Sequence, residues 1–221
     1  MALLDEKTRS EIRRRLADVP APVKVLLFVD EAEDGREAEQ MLLEVAGVSR
    51  IIQPRLYRRR RDRDAVAAYL VDGFPAFVVA GPSGTILRFF GIPRGFGFGV
   101  FFEAIKDAAS GRASLPDEVR RKFQATLPVP VHIGVFVTPD CPLCTMASRA
   151  AQKLAVEVAG VSADIIQASE FPELVLRHGV RDIPAIVLNG CIRFPGAPSE
   201  TTLAELVLRV SRWAGERLGR R

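Results

Sequence analysis

The chain has 221 residues, a net charge of +4 and 48% hydrophobic residues. This apolar content provides for a sizeable core and excludes global disorder, and the length fits one large domain or two of about 100 residues each. No apolar run approaches the roughly 20 residues that cross a bilayer. The start, Met1-Ala2-Leu3-Leu4-Asp5-Glu6-Lys7, lacks the apolar stretch of a secretory signal, so a soluble cytoplasmic protein is expected.

A charged amphipathic helix is predicted over 5–17, followed at 23–29 by a continuous apolar strand of the kind found inside a sheet. A helix at 35–46, a strand at 50–56 and a helix at 62–70 come next. A strand at 75–80 then meets the turn Gly81-Pro82-Ser83-Gly84 and returns at 85–90, and a helix at 97–109 closes the series. After a linker near 109–114 the same order is predicted again. It comprises a helix at 116–125, a strand at 131–137, a helix at 142–158, a strand at 163–167 and a helix at 170–178. Strands at 184–188 and 191–194 flank Asn189-Gly190, and the last helix spans 200–217.

The recurrence is visible in the residues themselves. Pro20-Ala21-Pro22-Val23-Lys24-Val25 and the apolar residues after it resemble Pro128-Val129-Pro130-Val131-His132-Ile133. Glu44-Val45-Ala46-Gly47-Val48-Ser49 returns identically as Glu157-Val158-Ala159-Gly160-Val161-Ser162. Phe74-Pro75-Ala76 matches Ile183-Pro184-Ala185, and Arg88-Phe89-Phe90-Gly91 matches Arg193-Phe194-Pro195-Gly196. Matched blocks in one order mark an internal repeat. The expected fold class is α/β, with two tandem units at 1–112 and 113–221, each a four-stranded mixed sheet flanked by helices.

Three cysteines cannot form a disulfide framework, but Cys141-Pro142-Leu143-Cys144 is a C-x-x-C pair between a strand and a helix. That spacing signals redox chemistry, half of a metal site or an inert pair. The metal reading needs two more ligands, and Cys191, His132 and His178 do not have ligand spacing to the pair. Redox chemistry has a physical rationale here. Disulfide exchange runs through a thiolate, which a helix N-terminus favours through its free N–H groups and dipole. Cys141 is expected at that N-terminus as the attacker, with Pro142 at the first helical position, where its missing N–H costs nothing. Cys144, one turn on, is expected to resolve the mixed disulfide.

Strand, then Thr138-Pro139-Asp140-Cys141-Pro142-Leu143-Cys144, then helix, with Ile183-Pro184 opening a later strand, resembles the thioredoxin/glutaredoxin fold. Two such units in one chain resemble the glutaredoxin-like protein disulfide oxidoreductases of thermophilic archaea and bacteria. Gly91-Ile92-Pro93-Arg94-Gly95 also looks like that family's first-half signature. The resemblance implies a cytosolic exchanger of disulfides with protein substrates, recharged by a thioredoxin-reductase-like donor; no cofactor, metal, nucleic acid or membrane is expected to take part. It implies a cis-Pro184 beside the sulfurs, and a substrate-binding surface of Pro142, Leu143, Ile183 and Pro184.

The family carries a C-x-x-C in each half. Here Asp30-Glu31-Ala32-Glu33-Asp34-Gly35-Arg36 stands in the first half, so the first unit is expected to lack redox chemistry. Two other functions compete: an electron carrier for a peroxide-reducing system, like the tandem module of alkyl hydroperoxide reductase flavoproteins, and a non-catalytic peptide-binding protein.

Other conspicuous residues read as structural. Arg58-Arg59-Arg60-Arg61, with Asp62 and Asp64 beside it, suits a solvated, ion-paired face better than a nucleic-acid patch. Phe96, Phe98, Phe101 and Phe102 are expected to pack in a core or between domains. His132 reads as a structural strand residue, His178 as a cap at a helix C-terminus and Cys191 as a bystander. Residues 131–137 hold no carboxylate, so deprotonation of Cys144 is expected to need water or a group from elsewhere.

Overall fold

The computed structural model describes residues 4–30 and 35–218. The acidic run of Glu31, Glu33 and Asp34 lies outside the described residues. The first eight elements are α1 (Glu6–Arg15), β1 (Val23–Val29), α2 (Gly35–Ala46), β2 (Ile52–Arg58), α3 (Arg63–Ala68), β3 (Ala76–Ala80), β4 (Ile86–Phe90) and α4 (Phe96–Ser110). The order then repeats as α5 (Asp117–Lys122), β5 (Val131–Val137), α6 (Pro142–Glu157), β6 (Val161–Gln167), α7 (Pro172–His178), β7 (Ala185–Leu188), β8 (Ile192–Pro195) and α8 (Glu200–Leu218).

The chain divides into two compact units. The first runs to Ile92 and adds Phe101–Gly111; the second comprises Pro93–Val100 and the chain from Arg112 onward.

In the first unit the strand order is β2-β1-β3-β4. β1 runs parallel to β2 and antiparallel to β3, and β3 pairs antiparallel with β4. The apolar run of β1 is buried as its position between two strands requires, with Val25, Leu26, Leu27 and Phe28 fully enclosed. Phe101 packs edge-on against Phe77 and Phe89, with ring centroids 5.6 and 5.0 Å apart. β2 starts two residues later than the sequence predicts and continues to Arg58, because its register with β1 holds from Val23↔Ile52 to Val29↔Arg58. As the outer strand of this unit it tolerates Pro54, whose lost N–H breaks no inner ladder. The arginine run is ion-paired as expected. Arg58 meets Glu39 at 3.0 Å, Arg59 meets Asp30 at 2.9 Å, and Asp62 accepts the backbone N–H of Arg58.

In the second unit β5 likewise runs parallel to β6 and antiparallel to β7, and β7 pairs antiparallel with β8. Helices α6 and α8 pack together, and both pack on β5. The repeated topology confirms two tandem thioredoxin-like units of mixed four-stranded sheet and helices.

The identical hexapeptides also do the same job twice. Glu44, in the last turn of α2, accepts the backbone N–H of Leu4 at 2.9 Å and the Arg9 guanidinium at 2.8 Å. Arg9 in turn donates to the Leu4 carbonyl. Glu157 ends α6 and accepts the N–H groups of Ala113 and Leu115 at 2.8 and 3.0 Å, and the Arg120 guanidinium at 2.7 Å. Arg120 donates to the Leu115 carbonyl. Each glutamate thus staples the segment before its unit's leading helix to the helix after the central strand. Burial pushes the Glu157 carboxyl up, but the Leu115 and Ala113 N–H groups and the Arg120 guanidinium outweigh it and hold the pKa below its ordinary value.

Candidate functional site

The site is built where β5 ends. Val137 is the last residue of the strand, Thr138-Pro139-Asp140 turns away from the sheet, and α6 begins at Pro142. Cys141 is the N-cap of α6, with an extended backbone at φ −111° and ψ 103°. Its Sγ accepts the backbone N–H of Cys144 at 3.1 Å, the bond that a capping serine or aspartate oxygen makes elsewhere. A sulfur held on a helix N–H is placed to have its anion stabilised when the bridge opens. Pro142 occupies the first turn, as expected.

Cys141 and Cys144 form a disulfide, with Cα atoms 5.3 Å apart. Cys141 is half-buried, whereas Cys144 is 4% exposed. Leu143, between them, is 55% exposed. The sequence-based assignment of an outer and an inner sulfur therefore has a geometric counterpart. Cys191 is free and exposed, outside the pair.

The Ile183–Pro184 peptide is cis. Ala185 pairs with Phe136, so Pro184 stands at the end of the sheet where β5 gives way to the cysteine loop. The Pro184 carbonyl accepts the N–H of Gly196 at 2.7 Å, just as the Pro75 carbonyl accepts that of Gly91 at 2.8 Å. Phe74–Pro75 is cis as well, which sequence reasoning did not anticipate although it had matched the two dipeptides.

One component escaped the sequence reading. Pro93–Val100 belongs to the same compact unit as the cysteines. The first N–H of α4, from Phe96, donates to the Pro139 carbonyl at 3.0 Å. Gly95 before it has φ +53°, and a Cβ there would collide with the same carbonyl. Arg94 pairs with Glu170 at 3.0 Å, close after the end of β6. The segment is pinned to the loop two residues before Cys141. Phe101 and Phe102 are buried as expected, but Phe96 is 51% exposed, because it opens the helix beside that loop instead of entering the core.

His132 has a partner that sequence reasoning missed. Its Nε2 lies 2.7 Å from Oδ2 of the buried Asp164. The parallel register pairs His132 with Ser162, two residues before Asp164, so the two side chains stand on one face of adjacent strands. His132 is the second residue of β5, which puts this pair at the opposite end of the strand from the cysteines. His178 ends α7 as expected, and its Nδ1 lies 3.1 Å from the Gly190 carbonyl. Among the described residues no cluster of His, Cys, Asp and Glu has metal-binding geometry, and no helix is long and apolar enough to cross a membrane.

A cystine at the N-terminus of the helix after a central parallel strand, with a cis-proline at the same end of the sheet, defines a thioredoxin-fold redox protein. Comparison with known proteins agrees. Residues 131–208 match the thioredoxin domain family. A thioredoxin from Methanocaldococcus jannaschii is 35% identical over 78 residues, covering 35% of this chain and 92% of that protein. The chain belongs to the thioredoxin family, and its activity class is thiol–disulfide oxidoreductase, with disulfides as substrates.

Two further relatives extend over both units. A protein disulfide oxidoreductase from Aeropyrum pernix superposes with a TM-score of 0.83 at 25% identity, covering 96% of each chain. An alkyl hydroperoxide reductase chain of Pseudomonas putida is 25% identical over 193 residues, covering 85% of this chain and 34% of that protein.

Proposed function

We propose that the protein exchanges disulfides with protein substrates through Cys141 and Cys144, and that the first unit takes no part in the electron transfer. The observation that carries this reading is the Cys141–Cys144 bridge with its outer sulfur on a helix N–H. In the reducing direction, the Cys141 thiolate attacks a substrate disulfide. A mixed disulfide forms and one substrate thiolate leaves. Cys144 loses its proton to water and attacks the Cys141 sulfur. The intramolecular bridge re-forms, the second substrate thiolate leaves, and both take up protons. Two electrons pass from the protein to the substrate, and an external dithiol donor of the thioredoxin-reductase kind restores the reduced pair. Pro142, Leu143, Ile183 and Pro184 are the substrate-binding surface. The Ile183 backbone, at the head of β7, would pair with an extended substrate segment.

Turnover of insulin disulfides by the reduced protein tests the reading. Cys144→Ser is expected to accumulate mixed disulfides and Cys141→Ser to be inactive. An inactive wild type with an intact, reducible bridge would leave only peptide binding and overturn the proposal. A second reading is an electron carrier to a peroxide-reducing enzyme. It is favoured by the likeness to the alkyl hydroperoxide reductase chain over both units, together with a C-x-x-C in the second half alone. Reconstitution with a peroxide-reducing partner separates the two.

A further inference from the structure

The first unit carries an open groove that the exchange chemistry does not use. Its volume of about 700 Å³ is that of a ligand site, for which ~300–1,000 Å³ is usual. Arg59, Arg60 and Arg63 line it together with Val66 and Leu70. The three arginines are exposed, and Arg59 lies over the Phe74 ring at 5.2 Å. Leu70 is the anomaly. It stands two residues after α3 in the left-handed region, at φ +53°, and is 70% exposed. Left-handed backbone strains any residue with a Cβ, and helix ends place glycine there for that reason. The second unit does so at the matching position, where Gly179 follows α7 at φ +57°. The two helix ends are otherwise built alike. Val71 donates to the Val66 carbonyl and Val180 to the Val175 carbonyl, both at 3.0 Å. Arg88 donates to the Tyr69 carbonyl as Arg193 does to the His178 carbonyl. A lone exposed leucine needs no explanation. One held in a strained backbone, in a groove with three arginines, marks a place where stability is given up for contact with something else.

We propose that this groove of the first unit binds an acidic segment of a partner protein, with the arginines taking its carboxylates and Leu70 covering an apolar side chain between them. The inference concerns a site separate from the cysteine pair and does not rest on the exchange reading. Charge complementarity names the occupant. Asp72 is the one carboxylate among the lining residues, so an anion is attracted and a cation repelled. Guanidinium groups suit carboxylates because they donate two parallel N–H bonds to one group. The groove is open to solvent and covers a ligand from one side only, whereas small-molecule sites enclose most of their ligand. A chain that continues beyond the groove meets that geometry, and its apolar residue supplies the contact that Leu70 is exposed to make.

The test is fluorescence polarisation with the full chain, its Cys141–Cys144 bridge intact, and labelled peptides that contain no cysteine, so that exchange cannot contribute. A short peptide of alternating Glu and Leu is the probe. Replacing its Glu by Lys, or its Leu by Ser, should each weaken binding about tenfold or more, and added salt should weaken the Glu–Leu peptide. Leu70→Gly installs the residue of the second unit. It should leave the urea midpoint unchanged or raised while weakening the Glu–Leu peptide about tenfold, as expected for a leucine only partly covered. Arg63→Glu should weaken the Glu–Leu peptide and strengthen the Lys–Leu one, a reversal that a merely structural role would not give. Absence of binding in wild type, equal affinity for the Glu and Lys peptides, or full affinity in both variants would overturn the proposal. So would a lowered urea midpoint in Leu70→Gly, which would make the leucine a packing residue, or tighter binding of a short single-stranded oligonucleotide than of the Glu–Leu peptide.

Discussion

The first and second halves share a frame and differ in chemistry. β1 and β5 are each seven residues long, each has a parallel neighbour on one side and an antiparallel one on the other, and each unit carries a cis-proline whose carbonyl accepts a glycine N–H. Each also keeps the glutamate staple of its second helix. What separates them is a short loop. After β5 comes Thr138-Pro139-Asp140-Cys141-Pro142-Leu143-Cys144; after β1 comes Asp30 and an acidic run with no cysteine. The frame elements are burial and backbone bonding, which stability demands wherever the fold exists. The cysteines are demanded by exchange alone, and their absence leaves the first frame intact.

The largest expected effect comes from the loop itself. Cys141→Ser should reduce exchange to background, a loss of three orders of magnitude or more, because no thiolate remains to attack (the scale seen when an enzyme nucleophile is removed, ~10⁴ and above). No substitution in the first half that spares folding should approach this. A first-half variant that folds and yet loses activity as completely would break the division.

Next comes Gly95→Ala. A Cβ forced against the Pro139 carbonyl at positive φ displaces the backbone that carries Cys141. A stability loss on the order of 1–3 kcal/mol is expected, with slower exchange. Gly84→Ala is the control in the first half, where φ is +86° but nothing lies within 4 Å of the new Cβ. It should show strain in denaturant titration and no change in exchange.

The sequence disclosed most of the frame and little of this contact. The repeat, the strand and helix order and the helix-capping cysteine follow from patterns that side chains carry, namely apolar runs and a C-x-x-C spacing, whereas the cis-Pro184 was implied by the family resemblance alone. The attachment of Pro93–Val100 to the second unit is made by one backbone N–H and one missing Cβ, and neither leaves a periodic signal. For the same reason Phe96 read as core, since an apolar cluster does not say which member opens its helix. The His132–Asp164 pair spans 32 positions and becomes legible only once the parallel register is known. Asp164 also shows that β6, not β5, holds the buried carboxylate of this sheet, and His132 occupies it.

The staples give a smaller effect. Glu157 has a lowered pKa when folded, so its contribution to stability is full above the ordinary glutamate pKa, about 4.3, and is lost as pH falls through the lowered value. Glu157→Gln should cost about 1–3 kcal/mol near neutrality and flatten the acid limb of the stability curve below pH of about 4. Urea titrations across pH measure both. A variant that loses stability equally at every pH would mean that the carboxylate charge is not what the staple uses. Cys191→Ser, at an exposed free thiol, should change neither stability nor exchange by a measurable amount.

The central claim is that one pair of cysteines carries all the redox chemistry of the chain. A redox titration of the full chain, with alkylation at each potential and mass analysis of every cysteine, tests it most directly. The account predicts a single two-electron transition in which Cys141 and Cys144 change together, while Cys191 is alkylated at every potential. Protection of Cys191 at any potential, or a transition that survives in Cys141→Ser, would contradict it.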